Sequence, residues 1–221
     1  MSQVLIKRDR EELKSLIKRS LFVASSEQGQ SSRIGGIPLS ESGKVAHLVP
    51  VDLTPAAVLM LIIDRPEGLS LLLTQRSSKL RSHAGQISFP GGRIEMNDLE
   101  PQAAALRETE EEIGLSREHV EIVGYLAPHV VFSGFAVIPV VGFVNKAFRL
   151  NIESAEVESV FEVPLSFLLN SQNHLFEQRQ LGAISVPVHY FQYTERRIWG
   201  MTAGMIMHLY ERLMRELKNH E

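Results

Sequence analysis

The sequence predicts an α+β layered domain, because helices and short β-rich runs are mixed along it without the strict alternation of a doubly wound fold. Three stretches carry this reading. Ala56 to Ile63 and Leu69 to Thr74 are apolar and β-rich, and Asp64-Arg65-Pro66-Glu67-Gly68 between them supplies the residues of a tight connection, so the pair reads as a hairpin. Pro101 to Ile113 reads as a helix, with proline in its first turn and Gly114 as its stop. Trp199 to Leu217 reads as a second long helix, whose stripe of Met201, Met205, Leu209, Leu213 and Leu217 is a core-packing face.

The remaining elements follow in chain order. Residues 9 to 22 form a helix: Asp9 followed by Glu12 resembles a capping box, and Leu13, Leu16, Ile17 and Leu21 share one face. The other face is rich in Lys and Arg and reads as solvated surface. Ser25 to Gly43 shifts to Ser, Gly and Gln without periodicity and reads as a loop. After the hairpin, a glycine-containing loop runs to Gly92. Strands are expected at Val120 to Leu126 and at Val137 to Val144, the latter an edge or bulged strand because of Pro139. Shorter strands fall near Val157 to Phe161, Leu175 to Gln180 and Val186 to Gln192.

With 221 residues the chain can bury one sizeable core, and 44% apolar and 22% charged residues are ordinary globular values. A formal net charge of −3 argues against nucleic acid as a partner, since such binders need a basic surface to displace counterions. The absence of cysteine leaves only oxygen and imidazole as metal ligands. No apolar run is long enough for a membrane span or a signal peptide, so the cytoplasm is the expected location.

The chemically informative run is Arg107-Glu108-Thr109-Glu110-Glu111-Glu112-Ile113-Gly114-Leu115. On a helix, Glu108, Glu111 and Glu112 fall within an arc of about 100° while Glu110 points away. Such a face is either merely solvated or built for a cation, which would turn mutual repulsion into affinity. Mg²⁺ suits it, because it prefers oxygen ligands and takes few carboxylates at a time. Arg107 precedes Glu111 by four residues and is placed to orient it. Upstream, Phe89-Pro90-Gly91-Gly92 reads as a turn whose bare backbone amides can approach an anion.

Gly92, Asp98, Arg107, Glu108, Thr109, Glu111, Glu112, Gly114 and Leu115 together resemble the box of the Nudix family, with Asp98 in place of the usual glutamate and one extra residue before Arg107. Leu72-Leu73-Thr74-Gln75-Arg76-Ser77, then Arg81, Gly85 and Phe89-Pro90-Gly91-Gly92, resembles the upstream motif of its coenzyme A pyrophosphatase branch. Val160-Phe161-Glu162-Val163-Pro164-Leu165 and Trp199-Gly200-Met201-Thr202-Ala203 extend the resemblance to about residues 45 to 205.

The resemblance implies a Nudix fold, an α/β/α sandwich around a central mixed β-sheet, over residues 46–221. Residues 1–45 would then be an N-terminal helix and loop packed against it. It also implies that Mg²⁺ or Mn²⁺, held by Glu108, Glu111 and Glu112, assists water in splitting the pyrophosphate of coenzyme A into 4′-phosphopantetheine and adenosine 3′,5′-bisphosphate. Any of the three glutamates could serve as the base, and Glu156 is the candidate that completes the site from outside the helix.

Arg76 and Arg81, with Gly91 and Gly92, would meet the substrate phosphates. Lys79 and His83 are open between the 3′-phosphate and plain surface, and Phe89 between packing and base stacking. His129, Ser133 and Gly134 form a turn that could line the site. The alternatives are a pyrophosphatase for ADP-ribose, dinucleotides or oxidised nucleotides, and a Nudix binding module without catalysis. The chain would be a monomer or a homodimer.

Overall fold

A computed structural model describes residues 2–23, 33–144, 148–152 and 155–220. The elements in order are α1 (Ser2–Ile6), α2 (Arg10–Ser20), β1 (Arg33–Ile34), α3 (Leu39–Ser42), β2 (Thr54–Arg65), β3 (Gly68–Arg76), β4 (Ile87–Ser88) and β5 (Gly91–Arg93). Then come α4 (Pro101–Ile113), β6 (Val120–Tyr125), β7 (His129–Val131), β8 (Phe135–Val144), β9 (Val157–Pro164), α5 (Leu165–Leu168), β10 (Leu175–Leu181), β11 (Ile184–Tyr193), β12 (Arg196–Trp199) and α6 (Gly200–Asn219).

Successive side chains of β2 point to opposite faces of the sheet, and both faces are apolar. Ala56, Met60 and Ile62 join one core with Leu13, Leu16 and Ile17 of α2 and Ala203, Met205 and Leu209 of α6. Ala57, Leu59, Leu61 and Ile63 join the other with Ala104, Ala105 and Ile113 of α4. A sheet that is hydrophobic on both sides must be covered on both, and the result is the α/β/α sandwich. The sheet is mixed: β2 runs parallel to β8 from Thr54↔Phe135 to Ile63↔Val144, and antiparallel to β3 and β5. A second sheet, β10-β11-β12, is antiparallel throughout. No helix among the described residues is long and apolar enough to cross a membrane.

Asp9 caps α2 by accepting from the backbone N–H of Glu12 at 2.8 Å, while the Glu12 carboxylate pairs with Arg8 at 3.6 Å instead of returning to the cap. Part of the expected 25–43 loop, residues 25–32, lies outside the described residues. The rest is more ordered than its composition indicates. Arg33 and Ile34 pair in parallel with His129 and Val130, and Leu39–Ser42 makes a helical turn.

Pro139 does not mark an edge. β8 is bonded on both sides, by β2 along its whole length and on the other flank by β7 up to Val137 and by β6 from Val140. The proline falls where the outer partner changes, so its missing N–H interrupts neither short ladder. Its carbonyl still accepts from the Leu126 N–H at 3.0 Å.

Candidate active site

Helix α4 begins at Pro101 and ends on Gly114, whose φ of 68° is the left-handed conformation that glycine adopts without strain. A Cβ there would also lie 2.7 Å from the Asn151 carbonyl oxygen. The small residues Ala104 and Ala105 let the helix lie close on the sheet, and Ile113 anchors its last turn, a burial worth about 1.5–3 kcal/mol. This docking turns Glu108 and Glu112 toward β5. Glu110 faces away and is held by Arg117 at 2.6 Å.

Gly91 and Gly92 are not an open turn. They form β5, with Gly91 opposite Val58 and Gly92 opposite Ala57. The Gly91 N–H is directed at Glu112 Oε2, 3.3 Å away. At Gly92 a Cβ would lie 2.5 Å from Cδ of Glu108, so the missing side chain is the space that the Glu108 carboxylate occupies.

Arg107 ties the region together. It donates to Asp98 at 2.9 and 3.4 Å, to Glu108 Oε1 at 2.8 Å, to the Arg93 carbonyl at 3.1 Å, and only distantly to Glu111 at 3.5 Å. The expected Arg107–Glu111 pairing is therefore the weakest of its contacts. Arg107 bonds first to Asp98, whose carboxyl is held below the usual range by that guanidinium and by the Glu95 N–H. The role of Asp98 had no signal in the sequence beyond its place in the box, because the intervening loop hides that it folds back nine residues onto α4.

Glu112 is buried, with 8% of its surface exposed, and burial pushes its carboxyl up to about 7. The Gly91 N–H and the charge of Arg76 oppose that rise, and the neighbouring charges of Glu108 and Glu156 add to it. Arg76, at the end of β3, reaches Glu156 at 3.3 Å. The β3–β9 pairing makes this contact possible: Arg76 lies opposite Val157, and the Ser77 N–H donates to the Glu156 carbonyl at 2.7 Å.

The side chains do not form a closed cage. Among the described residues no three acidic or histidine side chains converge on one point. Glu108 is turned to Arg107, Glu112 to Gly91, Glu156 to Arg76, and Glu111 is 61% exposed. The donor set is nevertheless all oxygen, and the charges of Glu108 and Glu156 act together on the buried Glu112 carboxyl. That combination fits a hard divalent cation, which would relieve the repulsion and lower the Glu112 carboxyl.

The other sequence candidates separate. Arg81 and Lys79 are exposed in the loop after β3, and Arg81 has no ion pair among the described residues. His83 has a φ of 57° and bonds Gln86 through Nδ1 at 2.9 Å, a structural contact within the loop. Phe89 is 3% exposed and belongs to the α2–α6 core, so it packs instead of stacking on a base. Ser133 and Gly134 form the turn between β7 and β8. His129 does not line an open site: it is buried in β7, with Nδ1 3.2 Å from the Gly35 carbonyl and Nε2 3.2 Å from His208 Nδ1.

The NUDIX domain family model matches residues 53–181. A Photorhabdus laumondii protein described as an uncharacterized Nudix hydrolase, NudL, is 43% identical over 155 residues, covering 70% of this chain and 82% of its own. Its counterpart in Citrobacter koseri is 42% identical over 160 residues, covering 70% and 80%. Nudix hydrolase 15, mitochondrial, from Arabidopsis thaliana is 35% identical over 197 residues, covering 83% of this chain and 69% of its own. The box helix, its glycine strand and these relatives agree, and the chain belongs to the Nudix hydrolases, enzymes that act on nucleoside diphosphate derivatives.

Proposed function

We propose that this chain hydrolyses the pyrophosphate of coenzyme A or a coenzyme A derivative, with Mg²⁺ or Mn²⁺ bound by the glutamates of α4. The observation that carries the chemistry is the buried Glu112 carboxyl set among Glu108, Glu156 and Arg76, an acidic centre whose repulsion a divalent cation would relieve. The choice of coenzyme A rests on the stretch from Leu72 to Gly92, which resembles the upstream motif of the coenzyme A pyrophosphatase branch.

Glu108 and Glu112 would hold the cation, with Glu111 on the solvent side and Glu156 opposite. When bound, the cation would neutralise the phosphoryl oxygens and acidify the attacking water. Arg107 fixes Glu108 against Gly92 so that the carboxylate is positioned before substrate arrives. Arg76 supplies a guanidinium at the edge of the acidic centre, where a pyrophosphate oxygen can replace Glu156 as its partner. Glu156, which approaches from outside the helix, would accept the proton of the attacking water, leaving Glu108 and Glu112 to the cation. Arg81 is left to capture substrate from the loop, since it reaches none of these groups.

The test is product identification. Purified protein with Mg²⁺ or Mn²⁺ is given coenzyme A, ADP-ribose, NADH and 8-oxo-dGTP in parallel. 4′-Phosphopantetheine and adenosine 3′,5′-bisphosphate should form fastest, and faster turnover of any competitor would overturn the substrate assignment. Glu112→Gln should abolish activity while leaving the protein folded.

A further inference from the structure

A cavity of about 600 Å³ opens at the same end of the sheet as Arg76, between the end of β3 and the β11–β12 hairpin. Its volume is in the range of small-ligand sites. Two guanidiniums, Arg196 and Arg197, and the indole of Trp199 form one side, Gln75 and Ile87 the other, and Glu195 is the one carboxylate among the lining side chains.

The two arginines are not equivalent. Arg197 is paired with Glu177 and lies over the Tyr190 ring, 4.3 Å from its centroid. Arg196 lies over the Phe161 ring, 4.1 Å from its centroid, and its Nε is buried without a hydrogen-bond partner. A buried guanidinium N–H with no acceptor is costly in a finished structure, and here it belongs to a side chain that lines an open cavity. Thr194 has a φ of 51°, unusual for a branched residue, and the Gln192 side chain bridges the turn to the Thr194 carbonyl at 2.8 Å.

Gln75 connects this cavity to the acidic centre. It lines the cavity, and the next residue, Arg76, faces Glu156 and Glu112. Alternation along the strand, with a register shift between the two residues, places them on either side of the sheet's end. The cavity therefore begins one strand residue from Arg76, and its lining is cationic and aromatic in character. That is the chemistry of a phosphorylated nucleoside: guanidinium for phosphate, and indole beside the base.

We infer that this cavity is the subsite for the phosphate-bearing nucleoside end of the substrate, with Arg196 as the partner of a ribose phosphate distinct from the cleaved pyrophosphate. The inference rests on the nucleotide hydrolase reading of the acidic centre, and it explains how the chain would tell a 3′-phosphorylated nucleotide from an unphosphorylated one.

The test is equilibrium binding to the full chain by calorimetry, with adenosine 3′,5′-bisphosphate, adenosine 5′-monophosphate and inorganic phosphate as probes. The bisphosphate should bind about tenfold or more tighter than the monophosphate, the effect expected of one charge-assisted contact. Arg196→Gln should remove that difference, and Arg196→Lys should restore most of it. If Arg196→Gln fails to fold, Gln75→Trp, which fills the cavity, should remove the difference instead.

Equal binding of the two nucleotides by the parent protein, or discrimination that survives a folded Arg196→Gln, would overturn the inference. In turnover, Arg196→Gln should bring the coenzyme A to dephospho-coenzyme A ratio of kcat/KM close to one. Failure of the parent protein to cleave coenzyme A would sink the proposed substrate, whereas the binding result alone decides the subsite.

Discussion

Gly92→Ala separates the fold of this protein from its chemistry. The added Cβ would lie 2.5 Å from both Cδ and Oε1 of Glu108 and 2.7 Å from Oε2, distances at which something must move. What moves is the free end of a flexible side chain. Gly92 has no positive φ to lose, and no backbone atom lies among its three nearest neighbours.

The folded state then loses the Glu108–Arg107 pair, which is partly exposed and worth no more than about 1 kcal/mol. For a chain of this size that shifts Tm by about 2–4 °C. Glu108, however, is displaced by an ångström or more, and misplacement on that scale costs about 10²-fold in rate. Circular dichroism melts and chromatographic assay of the proposed coenzyme A cleavage measure the two effects on one sample. The reasoning is refuted if activity stays within a few fold of the parent, or if stability falls as far as in Gly91→Ala. The latter has a φ of 147° and a Cβ position 2.4 Å from the Ala57 carbonyl, so its substitution strains the backbone itself, by about 1–3 kcal/mol.

Three further outcomes follow from the same structure. Asp98→Asn keeps the shape of the Arg107 anchor but not its charge, and kcat should fall about tenfold with KM little changed, consistent with loss of a charge-assisted contact; unchanged kcat would show that Arg107 needs no anchor. Gly204→Ala brings a Cβ to 2.3 Å from the Gly35 carbonyl, a backbone clash between α6 and the turn after β1, and should cost about 1–3 kcal/mol in denaturant unfolding. Burial, followed by the charge of Arg33, holds His129 and His208 well below the ordinary histidine range. Both stay neutral when folded but take protons when unfolded, so their contribution is complete above pH 6.5 and is lost as pH falls below it. From pH 6.5 to 4.5 the parent should lose stability faster than a His129→Asn/His208→Asn double variant, and equal slopes would contradict this.

The long elements were legible because each is locally overdetermined. Helix α4 has a proline start and a glycine stop, and β2–β3 has its turn spelled out between two apolar runs. The short strands were not. Gly91–Arg93 has no strand-forming residue and Arg33–Ile34 is too short to show alternation, and they pair because Ala56–Val58 and His129–Val130 present unfilled edges to them.

Pro139 misled for a related reason: its cost depends on which neighbour faces it, and that is a property of the whole sheet. Within the site, helical spacing correctly turned Glu110 away from Glu108 and Glu112. Spacing could not bring Arg76 to Glu156, eighty residues away, because only the β3–β9 register does so. Glu156 was reached through family resemblance alone.

The Arg107–Asp98 link makes the β5–α4 segment a strap fastened at two points, by the Ile94 N–H on the Pro55 carbonyl at one end and by the guanidinium at the other. Between them Met96 and Leu99 are fully in solvent. A strap of this kind tolerates changes of length, which accords with the extra residue this chain carries before Arg107. It also offers an attachment point for a fluorophore or a short peptide tag close to the glutamates, without a core contact to disturb.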